Sequence, residues 1–157
     1  MAYAPAAAMI ATPIGPVRIE AEGDALTGIW IGRKGPVEAG AAVLREAMAQ
    51  LSAYFDGKLT AFDLPLTPAS SERGPELRAA ICSIGYGATA SYGALAVQTS
   101  ASARAVGQAC AHNPFPIIVP CHRVLGAGGA LGYYSAGDGP ATKVWLLKHE
   151  GAEGWLL

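Results

Sequence analysis

Apolar and charged positions alternate along Val17-Arg18-Ile19-Glu20-Ala21, the period of a half-buried β-strand. Glu22-Gly23-Asp24 supplies a turn, and Leu26-Thr27-Gly28-Ile29-Trp30-Ile31 is a fitting hairpin partner. With an earlier turn at Thr12-Pro13-Ile14-Gly15-Pro16, residues 8–31 read as strands. After a loop from Arg33 to Pro36 the period changes. Between Glu38 and Phe55, the positions Val43, Leu44, Ala47, Met48, Leu51 and Tyr54 recur at three- and four-residue spacing. That is one face of a helix, stopped near Gly57. Leu59 to Leu66 reads as another extended piece. Together these make a small antiparallel sheet with a covering helix.

The stretch Thr67-Pro68-Ala69-Ser70-Ser71-Glu72-Arg73-Gly74-Pro75 is polar and full of breakers, and reads as a linker. Beyond it the pattern is helical and short. Glu76 to Ile84 buries Leu77, Ala80, Ile81 and Ile84 and stops at Gly85-Tyr86-Gly87. Ser91 suits an N-cap for a helix from Tyr92 to Val97, and Ser102 caps a second, running to Cys110 or Ala111. Pro114 ends that helix by restricting Asn113. Two short helices around a tight turn suggest a helix-turn-helix. Leu125 to Tyr134, with four glycines, reads as a hairpin-like excursion, followed by a loop from Ser135 to Pro140. A last helix, capped by Asp138 with Pro140 in its first turn, runs to Glu150 and is buried through Val144, Trp145 and Leu147.

Composition changes this picture little. Apolar residues form 52% of the chain, enough for a packed core and against disorder. No apolar run approaches a membrane span, and the first ten residues lack the basic region of a secretory signal. Three cysteines, an odd number, argue against a disulfide framework and for a reducing cytoplasm. The net charge of −1 gives no global attraction to nucleic acid. Residues 1–72 hold five Lys/Arg against eight Asp/Glu, and residues 73–157 six against four, with all three histidines. Any contact with DNA is therefore local, with modest counterion release.

The candidate chemistry centres on Ile117-Ile118-Val119-Pro120-Cys121-His122-Arg123-Val124. Cys121 is either a small buried hydrophobe or a nucleophile, since a thiolate forms readily beside His. In an extended segment Cys121 and His122 point to opposite faces, so contact between them needs a turn or a bridging water. A Cys121–His122–Glu150 relay follows the nucleophile–base–orienter logic of covalent catalysis. Glu150, at a helix C-terminus where the dipole disfavours an anion, is either solvated or held by a cationic partner. Cys82 and Cys110 fall among apolar neighbours and read as structural. There is no CxxC, no HExxH and no glycine pattern of phosphate-binding spacing, so neither a metal site nor a nucleotide cofactor is expected. The second short helix presents Ala101, Ala103, Ala105, Gly107 and Ala109 around Arg104. Such a small face permits close helix packing, and equally a close approach to nucleic acid with Arg104 as the projecting probe.

Asn113-Pro114-Phe115-Pro116-Ile117-Ile118-Val119-Pro120-Cys121-His122-Arg123-Val124 resembles the active-site signature of the O6-alkylguanine-DNA alkyltransferases, or methylated-DNA–protein-cysteine methyltransferases. The likeness continues in Ser91 to Ala96, Ala103 to Gly107, Gly132 to Ser135, Lys143 to Gly151, and at the N-terminal side in Thr12 to Pro16 and Tyr54 to Lys58. It implies an α+β chain: a ribonuclease H-like domain over residues 1–68 and a mainly helical, winged-helix-like catalytic domain with a helix-turn-helix over 69–157. It implies single-turnover DNA repair by a cytoplasmic monomer, without cofactor, metal, membrane or obligate protein partner. The protein would bind the minor groove of double-stranded DNA and flip out O6-alkylguanine, with O4-alkylthymine as a further substrate the resemblance allows. Cys121 would take the alkyl group irreversibly, activated through water by His122, with Glu150 orienting the imidazole and Asn113 bracing the turn. Tyr92 would rotate the nucleotide through its 3′ phosphate and protonate guanine N3, and Arg104 would fill the vacated place in the duplex. The resemblance also sets Ala103, Ala105, Gly107 and Arg123 on DNA. Around the base it sets Val119, Pro120, Val124, Tyr134 and Ser135, with the Val119 carbonyl and Ser135 reading the guanine edge.

Three stretches depart from the family pattern. Arg73 to Arg78 replaces a Phe-Gln…Val-Trp segment, Ile84-Gly85-Tyr86-Gly87 replaces Ile-Pro-Tyr-Gly, and the pocket-walling loop Tyr133 to Pro140 is longer than usual. Two competing readings remain at this level. One is a non-catalytic alkyl-lesion-binding protein of the alkyltransferase-like type, against which Cys121 itself argues. The other is a Cys-dependent hydrolase or redox enzyme, which predicts turnover and has no use for Arg104.

Overall fold

The computed structural model describes residues 6–38 and 40–157 and divides the chain into two compact units, one ending at Thr67 and one beginning at Pro68. The first holds an antiparallel sheet of β1 (Ala6–Ile10), β2 (Val17–Glu22) and β3 (Ala25–Ile31), in that order. The alternation read from the sequence sets its register. Val17, Ile19 and Ala21 of β2 are buried, with Arg18 and Glu20 between them joined by an ion pair at 2.8 Å. Glu20 pairs with Gly28 and Ala21 with Leu26, so Thr27 is an extra residue that makes a bulge in β3 opposite Glu20/Ala21. Gly28 leaves room for the Trp30 ring, two residues along the same face, where any Cβ would overlap the indole.

Helix α1 (Ala42–Phe55) covers this sheet through Leu44, Ala47, Leu51 and Tyr54. It ends in a Schellman motif, in which the Lys58 N–H donates to Ala53 O and the Gly57 N–H to Tyr54 O, with Gly57 at φ 74°. The predicted start at Glu38 is four residues early. Glu38 exchanges backbone hydrogen bonds with Ala7 of β1, and sheet pairing wins over helix there, residue 39 lying outside the described residues. The extended piece expected over Leu59 to Leu66 reduces to one parallel bridge between Leu66 and Leu26.

The second unit is mainly helical. Helix α2 (Gly74–Cys82) begins within the expected linker, because Pro75 fits the first helical turn, where its missing N–H costs nothing. Strand β4 (Ala90–Ser91) leads into α3 (Tyr92–Thr99), and α4 (Ala103–Ala111) follows. Both serine caps form: Ser91 Oγ accepts from the Ala94 N–H and Ser102 Oγ from the Ala105 N–H, each at 3.0 Å. Ser100, left-handed at φ 55°, turns the chain between the two helices. Arg73, from the stretch that departs from the family pattern, donates to the carbonyls of Thr99 and Ser100 and so neutralises the C-terminal end of α3. Arg78 lies over the Phe115 ring, 5.3 Å from its centroid.

Strand β5 (Val124–Leu125) pairs in parallel with β4, which ties the segment after Cys121-His122-Arg123 to the start of α3. The excursion after it is not a hairpin: the Leu131 N–H donates to Leu156 O and the Leu156 N–H to Gly129 O, a parallel bridge to the C-terminal residues. Helix α5 (Pro140–His149) closes the unit. Its N-cap is Gly139, not Asp138. Asp138 contributes its backbone N–H, which donates to Thr142 Oγ1 at 2.9 Å. Leu146, Leu147, Thr142 and Lys143 are its buried side chains, while Val144 and Trp145 are half-buried. Among the described residues no helix is long and apolar enough to cross a membrane.

Candidate active site

The segment from Asn113 to Val124 is built from consecutive tight turns. Asn113 Oδ1 accepts from the Phe115 N–H at 2.9 Å, an Asx turn that ends α4. Ile117 then takes φ 79°, a left-handed conformation that a β-branched residue adopts only under constraint. At Pro120 (φ −82°, ψ 63°) the chain makes an inverse γ-turn, with the Cys121 N–H donating to Val119 O at 2.8 Å. Cys121, His122 and Arg123 form a single 3₁₀ turn. This supplies the bend that separates the thiol and imidazole from the alternation of a strand.

Asn113 braces the turn as expected. Its Nδ2 donates to Val119 O at 2.9 Å and to Cys121 Sγ at 3.3 Å. Cys121 is only 5% exposed. The neighbouring Cys110 thiol, and then burial, raise Cys121 well above the ordinary thiol value, while Asn113 pulls it down; Cys110 is lowered by the neighbouring Cys121. Cys121 therefore rests as a thiol, and would need a base to become a thiolate.

His122 and Glu150 line up. His122 Nε2 lies 2.8 Å from Glu150 Oε2, both side chains fully enclosed. A carboxylate there fixes the proton on Nε2 and leaves Nδ1 a bare acceptor, and Nδ1 is buried with no hydrogen-bond partner among the described residues. Burial, outweighing the pull of Glu150, lowers the His122 pKa below its ordinary value, so the imidazole is neutral and basic at physiological pH. Glu150 sits at the C-cap of α5, and its cationic partner is Arg123. Arg123 Nε donates to Oε1 at 2.7 Å, Nη2 to Oε2 at 3.0 Å, and Nη1 to Ile84 O at 2.7 Å.

Arg123 is thus corrected: expected on DNA, it is buried and its fork is turned inward onto Glu150 and Ile84. Lys143, which the sequence reading passed over, is buried as well. Its Nζ donates to Val124 O at 2.7 Å, and burial lowers its pKa to about 8.

Cys121 opens on a cavity of about 440 Å³ lined by Tyr92, Arg104, Gly107, Tyr134, Ser135 and others. Burial raises Tyr92 to about 12, which keeps its phenol a hydrogen-bond donor. Burial also keeps Tyr134 a phenol, and its buried OH has no hydrogen-bond partner among the described residues. Three expected pocket residues do not line this cavity. Pro120 and Val124 are buried behind it, Val124 within β5, and Val119 borders a separate groove of about 600 Å³ on the far side of α4. The Val119 carbonyl already accepts from Asn113 Nδ2 and the Cys121 N–H, which uses both lone pairs. Conversely Cys110, read as structural, lines the cavity beside Cys121, as do Pro116, Tyr133 and Ala136.

Helix α4 carries the expected probe. Arg104 is exposed at the cavity, and Val106 is the one residue of α4 that is fully buried. Among the described residues, no atom beyond its own helix backbone and chain neighbours lies within 4 Å of where a Gly107 Cβ would stand, so close packing inside this unit does not account for that glycine. Ala103 is exposed, and Ala105 half-buried on the side of the larger groove.

Comparison with known proteins gives a consistent result. The profile described as "6-O-methylguanine DNA methyltransferase, DNA binding domain" matches residues 76–152, and that described as "6-O-methylguanine DNA methyltransferase, ribonuclease-like domain" matches residues 7–68. A Mycobacterium leprae protein named methylated-DNA–protein-cysteine methyltransferase is 40% identical over 155 residues, covering 88% of this chain and 90% of that protein. One of the same name from Methanosarcina mazei is 47% identical over 108 residues, 68% of this chain and 67% of that protein. The crystal structure of Mycobacterium tuberculosis O6-methylguanine methyltransferase superposes with TM-score 0.82 at 38% identity, over 94% of this chain and 93% of that one. A structure from the same organism in complex with DNA has the same TM-score at 39% identity, covering 92% of each chain.

Proposed function

Since the chain belongs to the O6-alkylguanine-DNA alkyltransferase (methylated-DNA–protein-cysteine methyltransferase) family, we propose that it repairs O6-alkylguanine in double-stranded DNA by moving the alkyl group onto its own Cys121. The observation that carries this reading is the buried His122–Glu150 pair at 2.8 Å, with an unpartnered His122 Nδ1, in the turn that presents the Cys121 thiol to a cavity.

A flipped guanine enters the cavity between Tyr92 and Tyr134. The Cys121 proton passes through a water to His122 Nδ1, and Glu150 stabilises the imidazolium. The thiolate sulfur attacks the alkyl carbon from behind, an S–C bond forms, and the C–O6 bond breaks with its electron pair going to the purine. Tyr92 donates to N3 as that charge develops, and Arg104 takes the place of the base in the duplex. Ser135 contacts the guanine edge. Ala103, Ala105 and Gly107 keep α4 thin against the minor groove, and Tyr92 also turns the nucleotide through its 3′ phosphate.

The thioether is stable and water does not release it, so each chain acts once, as a monomer in the cytoplasm and without a cofactor. On this reading residues 1–68 form the ribonuclease H-like domain and 69–157 the winged-helix-like catalytic one.

The test is to incubate the protein with duplex DNA containing O6-methylguanine and weigh the peptide bearing Cys121. The expected result is a stoichiometric gain of one methylene, abolished in Cys121→Ala. Tight binding with no gain in mass would instead establish a lesion-binding protein, and turnover of small esters or peroxides a Cys-dependent enzyme of another class.

A further inference from the structure

Cys110 has no part in the relay, yet it lines the same cavity as Cys121. One residue holds the two segments together. The Asn113 backbone N–H donates to Cys110 O at 3.3 Å, while its Nδ2 donates to Cys121 Sγ at 3.3 Å. The last turn of α4 and the 3₁₀ turn are thereby fixed to each other with both sulfurs on the cavity side. Cys110 is the more open of the pair, half-buried where Cys121 is buried. The third cysteine, Cys82, is exposed on α2 and does not line this cavity.

We propose that Cys110 and Cys121 are a redox pair that closes to an intramolecular disulfide when a hydroperoxide enters the cavity. Cys110, the more accessible sulfur, attacks the peroxide as thiolate. An S–O bond forms, the O–O bond breaks, and water (or an alcohol) leaves, so that Cys110 becomes a sulfenic acid. The Cys121 sulfur then attacks the Cys110 sulfur, the S–O bond breaks, and the hydroxyl departs as water with the Cys121 proton. In balance, two thiols lose two electrons and two protons, and the peroxide is reduced. Cys121 is held in a form that a dithiol reductant reverses, and is spared oxidation to the sulfinic acid, which such reductants do not reverse. The disulfide has no free thiolate to accept an alkyl group.

That last consequence rests on the proposed function, whereas the bond does not, and one experiment separates them. The full chain and a Cys82→Ser variant are exposed to a small excess of hydrogen peroxide, free thiols are blocked, and the digest is analysed by mass spectrometry. A monomer lighter by two hydrogens and a Cys110–Cys121 cross-linked peptide are expected in both. Methyl acceptance should fall in step and return with dithiothreitol. In Cys110→Ser, each sample referred to its own untreated activity, the loss should not be reversed, and Cys121 should carry two added oxygens. Equal sulfinic oxidation of Cys121 in the full chain and in Cys110→Ser, or cross-links only through Cys82, would overturn the proposal. A disulfide in a protein that never gains a methylene would leave the redox pair standing and refute the alkyl transfer.

Discussion

Replacing Glu150 by Gln keeps the shape of the side chain and removes its charge. In the native site Oε2 accepts from His122 Nε2 and Arg123 Nη2, and Oε1 accepts from Arg123 Nε. An amide has one accepting oxygen, so its NH2 must face one of these partners. Facing Arg123 it sets donor against donor and strands a buried guanidinium, a defect worth about 3–5 kcal/mol. Facing His122 it leaves the oxygen to Arg123 and demands a bare Nε2, which moves the ring proton to Nδ1. The second arrangement is the milder, costing about 1.5–3 kcal/mol for weakened charge-assisted bonds. For a chain of this size that lowers Tm by about 3–12 °C, so the variant folds. Its imidazole, however, now presents a proton where the relay needs a lone pair.

Loss of a positioned general base lowers a rate by about 10²–10⁴-fold, and that is the expected loss in single-turnover methyl transfer. The assay follows methylene gain on the Cys121 peptide against time, at a temperature well below the variant's own midpoint. Adding Arg123→Met removes the buried cation that has lost its counter-charge, and should return much of the stability while transfer stays low. A folded Glu150→Gln protein transferring within about threefold of the parent rate would refute the relay, as would recovery of transfer in the double variant.

Arg104→Ala, at an exposed position on α4, should shift stability by no more than about 0.5 kcal/mol, while transfer from duplex DNA falls by about 10–100-fold. Equal losses in melting temperature and transfer would point to packing instead. Ser102→Ala removes the N-cap of the same helix and should cost about 1 kcal/mol, read by urea titration; an unchanged midpoint would show that the cap contributes nothing. The pH dependence follows from burial of His122, whose folded pKa lies below the ordinary 6.5. Because the unfolded chain takes up this proton first as pH falls, the stability tied to a neutral His122 is complete above 6.5 and is lost as pH drops toward the folded value. Transfer rates should be level above 6.5 and decline only below it, and a decline setting in above neutral pH would contradict a neutral base.

What the sequence made legible was local. The β2 alternation, the α1 face, the Schellman stop at Gly57 and the caps at Ser91 and Ser102 each depend on residues within a few positions of one another. The misreadings involve distant partners. Glu38 left its helix for Ala7, and Arg123 turned to Glu150 and Ile84, neither near it in sequence. Val119 fell outside the cavity because Ile117, at φ 79°, redirects the chain before it, and nothing in an Ile-Ile-Val run announces that conformation. Cys110 was within reach of sequence reasoning. Arg104, Gly107 and Cys110 follow one another at three-residue steps, so the helix that carries the arginine also carries the thiol to the same side.

The adjacency of thiol, imidazole and guanidinium in Cys121-His122-Arg123 makes sense only with the turn that holds them. In a strand the first and third would share a face and the second would oppose them. A 3₁₀ turn, with three residues per revolution, spreads the side chains by about 120° each. Cys121 therefore reaches the cavity while His122 and Arg123 reach inward to the two oxygens of one carboxylate. Glu150 needs both. Without Arg123 it would be a buried anion at the C-terminal end of α5, and without Glu150 the imidazole proton would have no fixed side. The left-handed Ile117, at about 1–3 kcal/mol of strain, is the backbone expense of starting that turn where Asn113 can brace it. Phe115, Ile117 and Val119 are buried, and the apolar surface that unwinding the segment would expose opposes release of that strain.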